Sequence, residues 1–293
     1  MKRILVALDA SPRTSAVLDV ARDLSVRTGA KLVLFRSVGL PTHIDESSVV
    51  HPREPLLDSL QHQAERELAT LAEDPRTGAT AQALLWAAKR EKRWYVAGFA
   101  EAARGGRFYN SALLVGPRGI QTVYRKLHLF EREHEWFAPG DLPLSVHRVA
   151  AAKVGLLICF DWRFPEAARA LALLGADVIA HPSNLVYPNA QEAMRVRGLE
   201  NRVYVVTANR TGTEQRPGGT VPFTGRSQIV APSGEVILKT TRTAEIALAA
   251  DCDLARARDK ALTKRSHLWN QRRPEFYGAL TARARAKRAR TSR

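Results

Sequence analysis

Apolar residues fall in short runs along this chain, and the runs alternate with stretches of helical spacing. ILVAL (4–8) reads as a buried strand. SAVLDVARDLSVRTG (15–29) keeps its apolar residues on one helical face and closes on Gly29, a normal helix stop. KLVLFRSV (31–38) reads as the next strand. A loop rich in Pro, His, Asp and Ser covers 40–55, followed by a polar helix, PLLDSLQHQAERELATLAED, and another helix near 79–91. WYVAGFAE and RFYNSALLVGP read as neighbouring strands joined by an RGG turn. KVGLLIC (153–159), ADVIAHPS (176–183), RVYVVTANR (202–210), GRSQIVAP (225–232) and AEIALAAD (244–251) are the other predicted strands. PEAARALALLG (165–175), with Pro165 in its first turn and Gly175 at its end, reads as a helix, as does PNAQEAMRVRGLEN. RPGGTVPFTGRS (216–227) reads as a mobile loop. The alternation predicts an α/β or layered α+β domain without internal repeats.

Composition narrows the class. The 293 residues are 45% hydrophobic and 25% charged, enough to bury a sizeable core. No apolar run approaches the ~20 residues of a membrane span. MKRILVALDASP has two basic residues, but Asp9 interrupts its apolar run, so it reads as a first strand rather than a secretion signal. Cys159 and Cys252 are too few for a disulfide framework and fit a reducing cytoplasm. No Cys/His cluster has the spacing of zinc ligands. The net charge of +16 is uneven: residues 253–293 hold thirteen Lys/Arg against three Asp/Glu. Their end, TARARAKRARTSR, reads as a solvated tail. It lacks the interleaved aromatics of a nucleic-acid contact, so nucleic acid is not the expected partner.

Chemistry enters at LLICFDWRFPE (156–166), where a hydrophobic run gives way to a charged turn at a cysteine. A strand that turns sharply into a helix presents its last side chain to a cleft. The helix N–H groups then favour a thiolate or an oxyanion there. The plain alternative is a buried structural cysteine. In TVYRKLHLFEREHEWFAPGD (122–141), Lys126 sits among apolar and aromatic residues. It reads either as a fixed cation for an oxyanion or as a snorkelling surface lysine.

Taken together, YRKLHLF and ICFDWRFPE resemble the lysine and cysteine motifs of the nitrilase superfamily of carbon–nitrogen hydrolases. GATAQALLWAAKREKRWYVAGFAE, RFYNSALLVGP, FAPGD, GADVIAHPSN and RGLENRVYVVTANRTGTE follow that family's order, so the resemblance runs over about 77–280. It implies a four-layer α-β-β-α sandwich, a homodimer or larger assembly, and no metal or organic cofactor. It implies hydrolysis of non-peptide C–N bonds in a small linear amide, carbamoyl compound or nitrile, through a cysteine thioester. By position Cys159 is the implied nucleophile, Lys126 the oxyanion-stabilising cation and Glu133 the auxiliary carboxylate, with Glu135 close enough to compete. The backbone N–H of Phe160 is the implied second oxyanion donor. Cys252, His128 and His181 are read as packing or hydrogen-bonding residues. Asp161 and Arg163 are expected to form a structural ion pair, the lesser alternative being a substrate carboxylate bound by Arg163, and the 216–227 loop is expected to shape specificity.

The resemblance stops short of the N-terminus. The family's first glutamate, its general base, stands in a PE context after the second strand, and no such motif occurs here. Residues 1–75 instead resemble the first half of a universal stress protein, with Asp9 where those proteins contact adenine. The glycine-rich phosphate loop of that family is missing. If the unit docks as its counterpart does, Ser37 occupies the glutamate position, beside Arg36. Asp45 and Glu46 are possible substitutes, whereas Glu101 matches a structural position. The expected organisation is one hydrolase-like domain over 1–280 (a stress-protein-like βαβ segment over 1–75 and a nitrilase-like segment over 77–280), with a basic tail at 281–293. The competing expectation is a catalytically silent binding protein carrying a stress-response module.

Overall fold

A computed structural model of the chain describes residues 3–8, 31–36, 68–69, 71–216 and 219–282. The predicted helix over 15–29, Asp9, Ser37, Asp45, Glu46 and the end of the basic tail lie outside the described residues, as does most of the polar helix after residue 55. Two compact units divide the chain, Met1–Arg258 and Asp259–Arg293.

The first unit holds two six-stranded sheets. In the first, β1 (Arg3–Leu8) and β2 (Lys31–Arg36) run parallel, and β2 docks parallel onto β3 (Trp94–Ala102) with Arg36 opposite Ala97. β4 (Phe108–Gly116) and β5 (Gly119–Arg125) continue as an antiparallel meander. β14 (Leu248–Ala249) closes the other edge against β1. The second sheet has β7 (Ala152–Leu156), β8 (Val178–Ser183) and β9 (Tyr204–Asn209) as a parallel core. β6 (Val146–Val149) flanks it on one side, β12 (Gln228–Val230) and β13 (Val236–Lys239) on the other, all antiparallel.

Burial explains the layering. β3 is buried along nearly its whole length, on both faces, so its sheet must be covered twice. On one face, Ala81, Leu84 and Ala88 of α1 (Ala79–Glu91) pack on Tyr95, Phe99, Leu113 and Val115. On the other, β3 approaches β8 and β1 approaches β9, which brings the two sheets together. α3 (Pro165–Leu173) and α4 (Ala190–Asn201) cover the second sheet. A Cβ at Gly155 of β7 would come within 2.8 Å of the Leu171 side chain, so glycine permits this close approach. The order is α-β-β-α. Two short helices, α2 (Glu133–Trp136) and α5 (Leu254–Arg258), lie in connections.

The structure corrects the sequence in three places. The edge strands β5, β6 and β13 are not anticipated by the apolar pattern. The strand expected over 244–251 shrinks to the two residues of β14. The 216–227 segment is no simple loop: β10 (Thr213–Arg216) and β11 (Gly219–Pro222) pair as a hairpin, after which Phe223 is buried. In the second unit, β15 (Ala261–Thr263) and β16 (Ser266–His267) form a small hairpin. Among the described residues, no helix is long and apolar enough to cross a membrane.

One ionic network ties β3, β4 and β5 together. Glu101 is buried and accepts from Ser111 Oγ at 2.6 Å and from Arg125 Nη2 at 2.5 Å. Arg125 also donates to Asp141 at 2.7 Å, and its guanidinium stacks on Tyr109 at 3.9 Å. This supports the structural role expected of Glu101. Removing one member of a buried pair strands the other. Glu101→Ala is therefore expected to lower unfolding free energy by about 3 kcal/mol in urea titrations. A loss below about 1 kcal/mol would show that the network contributes little.

Candidate active site

Lys126 follows directly on β5, and its backbone is held on both sides. Its N–H donates to the Asn110 carbonyl at 2.8 Å, and its carbonyl accepts from Gly140 N–H at 2.9 Å. Gly140, in the FAPGD stretch, lies so close that a Cβ there would sit 2.2 Å from the Arg125 carbonyl oxygen. The turn thus supports the lysine from below, which only glycine allows. The Lys126 side chain is almost wholly buried.

A buried ammonium needs a counter-charge. Glu133, on α2, supplies it: Oε2 lies 2.5 Å from Lys126 Nζ and also accepts from Phe130 N–H at 2.9 Å. Glu133 Oε1 accepts from Asn110 Nδ2 at 3.2 Å. Both carboxylate oxygens are therefore held by donors. Glu135 turns outward and pairs with Arg132 at 3.0 Å. Of the two glutamates considered from sequence, the structure brings Glu133 to the lysine.

Cys159 opens a 3-10 turn, Cys159–Arg163, that separates β7 from α3. The helix expected immediately behind the cysteine begins only at Pro165. Cys159 has φ of +42°, a left-handed conformation that costs a non-glycine residue about 1–3 kcal/mol. The thiol lies 3.7 Å from the Asn184 carbonyl oxygen, its hydrogen-bond acceptor. Burial pushes the thiol pKa up, the Lys126 ammonium pulls it back down, and the Glu133 carboxylate pushes it up again. Sulfur, ammonium and carboxylate are therefore within electrostatic reach of one another. Among the described residues, nothing accepts a hydrogen bond from Phe160 N–H, and the Phe160 ring meets Phe130 at 4.9 Å.

Asp161 joins the cysteine turn to the lysine strand. It is fully buried and accepts from Tyr124 Oη at 2.7 Å, Ile158 N–H at 2.8 Å and His128 N–H at 3.2 Å. His128 Nδ1 lies 2.8 Å from the same carboxylate, and its ring stacks on Phe164 at 3.6 Å. Burial and the Asp161 charge hold the Tyr124 hydroxyl pKa well above its ordinary value, which fixes it as a donor. The expected Asp161–Arg163 pair does not form. Arg163 is exposed and lies over Trp162 at 5.5 Å, because Asp161 faces inward toward residues from more than thirty positions upstream.

The histidines stay off the thiol. His181 is fully buried, with Nε2 2.9 Å from the Cys159 carbonyl oxygen and Nδ1 3.1 Å from Thr207 Oγ1. Burial lowers its pKa to about 4, so the ring is neutral at physiological pH. Cys252 packs beside Tyr204, Ala231 and Ala257. Asn110 and Asn184 are site residues that sequence reasoning missed. Their only signal was a polar residue inside or just after an apolar strand. Ser37 lies outside the described residues. Among the described residues, no group of His, Cys, Asp or Glu is arranged to hold a metal ion.

A part-buried thiol at a strand-to-turn junction and an ion-paired lysine stand in an α-β-β-α fold, the setting of the carbon–nitrogen hydrolases. The sequence model of the carbon–nitrogen hydrolase family matches residues 3–261, and the chain belongs to that family. It is a hydrolase of the nitrilase and amidase type. A protein named nitrilase from Pyrococcus abyssi is 46% identical over 211 residues, which is 72% of this chain and 79% of that protein. An (R)-stereoselective amidase from a Pseudomonas species is 41% identical over 179 residues, 60% of this chain and 63% of its own length. The crystal structure of a carbon–nitrogen hydrolase from Helicobacter pylori G27 aligns with TM-score 0.71 at 22% identity, covering 97% of this chain and 99% of that one, which supports the fold. The family match begins at residue 3 and so takes in the segment that sequence likened to a universal stress protein.

The electrostatics of the thiol give a pH prediction. With its pKa raised, Cys159 is expected to be alkylated by iodoacetamide at a rate that still climbs with pH beyond about 8.5, the ordinary thiol value. Lys126→Met removes the stabilising cation and should move that rise to higher pH. A rate already level at pH 7 would mean that the resting thiol is ionised, contrary to this geometry.

Proposed function

We propose that the protein hydrolyses non-peptide C–N bonds of a small linear amide, carbamoyl compound or nitrile through a thioester on Cys159. The observation that carries this reading is the buried Lys126–Glu133 ion pair, both of whose charges act on the Cys159 thiol. In the amide case, a carboxylate takes the thiol proton as Sγ bonds to the carbonyl carbon. The carbonyl oxygen becomes an oxyanion facing Lys126 Nζ and Phe160 N–H. The C–N bond then breaks, and the nitrogen leaves with the proton as ammonia or an amine. Water attacks the thioester, gives a proton to the carboxylate, and the sulfur is released. A thiol whose pKa is raised by burial requires such a base. Among the described carboxylates, Glu133 is the one held at the lysine. Amides are favoured over nitriles by the wording of the cysteine and lysine motifs.

The N-terminal strands β1 and β2 act as a scaffold in this reading. β2 docks parallel between β1 and β3 and ends at Arg36; in this reading Ser37, the next position in sequence, is the counterpart of the family's first glutamate. The catalytically silent alternative leaves the burial of Lys126 and the strained Cys159 unexplained. We further propose a homodimer or larger homo-oligomer, supported by exposed Leu173, Leu174, Val196 and Leu199 on or beside the neighbouring helices α3 and α4. Two free thiols are in keeping with a reducing, cytoplasmic setting.

Short ω-amides, N-carbamoyl amines and aliphatic nitriles assayed for ammonia release test the reading. At least one class should turn over, with activity abolished in Cys159→Ala and reduced about 10²–10³-fold in Lys126→Ala and Glu133→Gln. Turnover that survives Cys159→Ala would exclude the thioester. Ser37→Glu should raise kcat about tenfold or more if position 37 stands where the base belongs. No gain would show that the base comes from elsewhere.

A further inference from the structure

His181 is a buried titratable group that the proposed chemistry does not use. It stands on β8, fully enclosed, and its neighbours fix its tautomer. The Cys159 carbonyl can only accept, so Nε2, at 2.9 Å, carries the hydrogen and donates it. Nδ1 is then left as the acceptor, with Thr207 Oγ1 of β9 at 3.1 Å as its donor. Ser183 Oγ, also buried, lies 3.1 Å from Nε2 and 3.3 Å from Nδ1 and completes the enclosure.

The carbonyl that His181 holds belongs to the peptide bond whose other end is the Phe160 N–H. That unit is planar and trans, so its C=O and N–H point in opposite directions. Anchoring the oxygen on the β8 side aims the hydrogen to the opposite side. Cys159 itself, at φ +42°, occupies a strained conformation that needs external support. The thiol is held by Asn184, and Asp161 holds the preceding Ile158 N–H. His181 supplies the side-chain grip on the 159–160 peptide, whose carbonyl oxygen also opens the 3-10 turn Cys159–Arg163.

We propose that His181 is a positioning residue: by hydrogen-bonding the Cys159 carbonyl it sets the direction of the Phe160 N–H and so forms the backbone half of the oxyanion site. The inference rests on the thioester reading for its chemistry, but the orientation of the peptide is a separate, structural matter. Without this side-chain anchor the peptide is held by the 3-10 turn alone and can tilt to relax the left-handed cysteine. The thiol remains, while the donor for the developing negative charge is lost.

Two substitutions separate this role from simple core packing. Glutamine can place an amide N–H near the position of Nε2, whereas asparagine reaches only about as far as Nδ1. His181→Gln is expected to keep amide kcat within about tenfold of the parent, and His181→Asn to lose about 10²–10³-fold in kcat with little change in KM. Alkylation of Cys159 by iodoacetamide displaces iodide and develops no oxyanion, so His181→Asn should change its rate less than about fivefold. Equal loss of alkylation and hydrolysis, or equal activity in the two variants, would overturn the proposal. Crystal structures of the variants give an answer independent of any substrate. The 159–160 peptide should keep its direction in His181→Gln and turn in His181→Asn. An unturned peptide in His181→Asn refutes the positioning role, whereas parent protein inactive on every amide would count against the thioester reading instead.

Discussion

The buried ammonium of Lys126 depends on Glu133 at 2.5 Å, and much of the surrounding architecture keeps that pair in place. Burying a lone lysine costs several kcal/mol, so the carboxylate is a condition for the lysine being there at all. Glu133 is in turn oriented by Asn110 from β4 and by the Phe130 backbone. Gly140 brings the following turn under the Lys126 carbonyl. The Glu101–Arg125–Asp141 network clamps the residue next to the lysine. A fixed positive charge in a water-poor site is worth most where negative charge appears late in a reaction. That is the demand made by acyl transfer to a thiol.

The second constraint acts on the sulfur. Cys159 stands at the end of a sheet in a left-handed conformation, with Asp161 pinning the turn to Tyr124 and His128 on the lysine side. Asp161 thereby couples the two halves of the site: the turn that carries the thiol cannot shift without disturbing the loop after β5. The thiol pKa is set by competition. Burial favours the neutral form, Lys126 the thiolate and Glu133 the neutral form again. Burial is the largest of these effects and favours the protonated thiol, so in the proposed reading a carboxylate must first take its proton.

Much of this was legible in the sequence, for definable reasons. β3, β4, β8 and β9 are buried on both faces, so they read as continuous apolar runs. The edge strands β5 and β6 are half-exposed and mix polar with apolar residues, so they left no such run. The hairpin of β10 and β11 was hidden by its Pro and Gly. Cys159 and Lys126 were visible because a thiol and an amine stood at the ends of apolar segments. Glu133 and Glu135, two residues apart, were separable only by geometry, as one turns inward and the other to solvent. The partners of Asp161 were out of reach of spacing arguments, since Tyr124 and His128 lie 37 and 33 positions away. His181 was read correctly as a hydrogen-bonding residue, but the atom it holds depends on how β8 passes behind the cysteine turn.

The central claim is that the Cys159 sulfur, the Lys126 ammonium and the Phe160 N–H face one acyl-binding point. The most direct measurement is a crystal structure of the protein after reaction with 2-chloroacetamide, in which sulfur displaces chloride. The account predicts a carbamoylmethyl group on Cys159 Sγ, with its carbonyl oxygen within hydrogen-bond distance of both Lys126 Nζ and Phe160 N. An adduct whose carbonyl points away from both donors, or a thiol that the reagent never reaches, would contradict it.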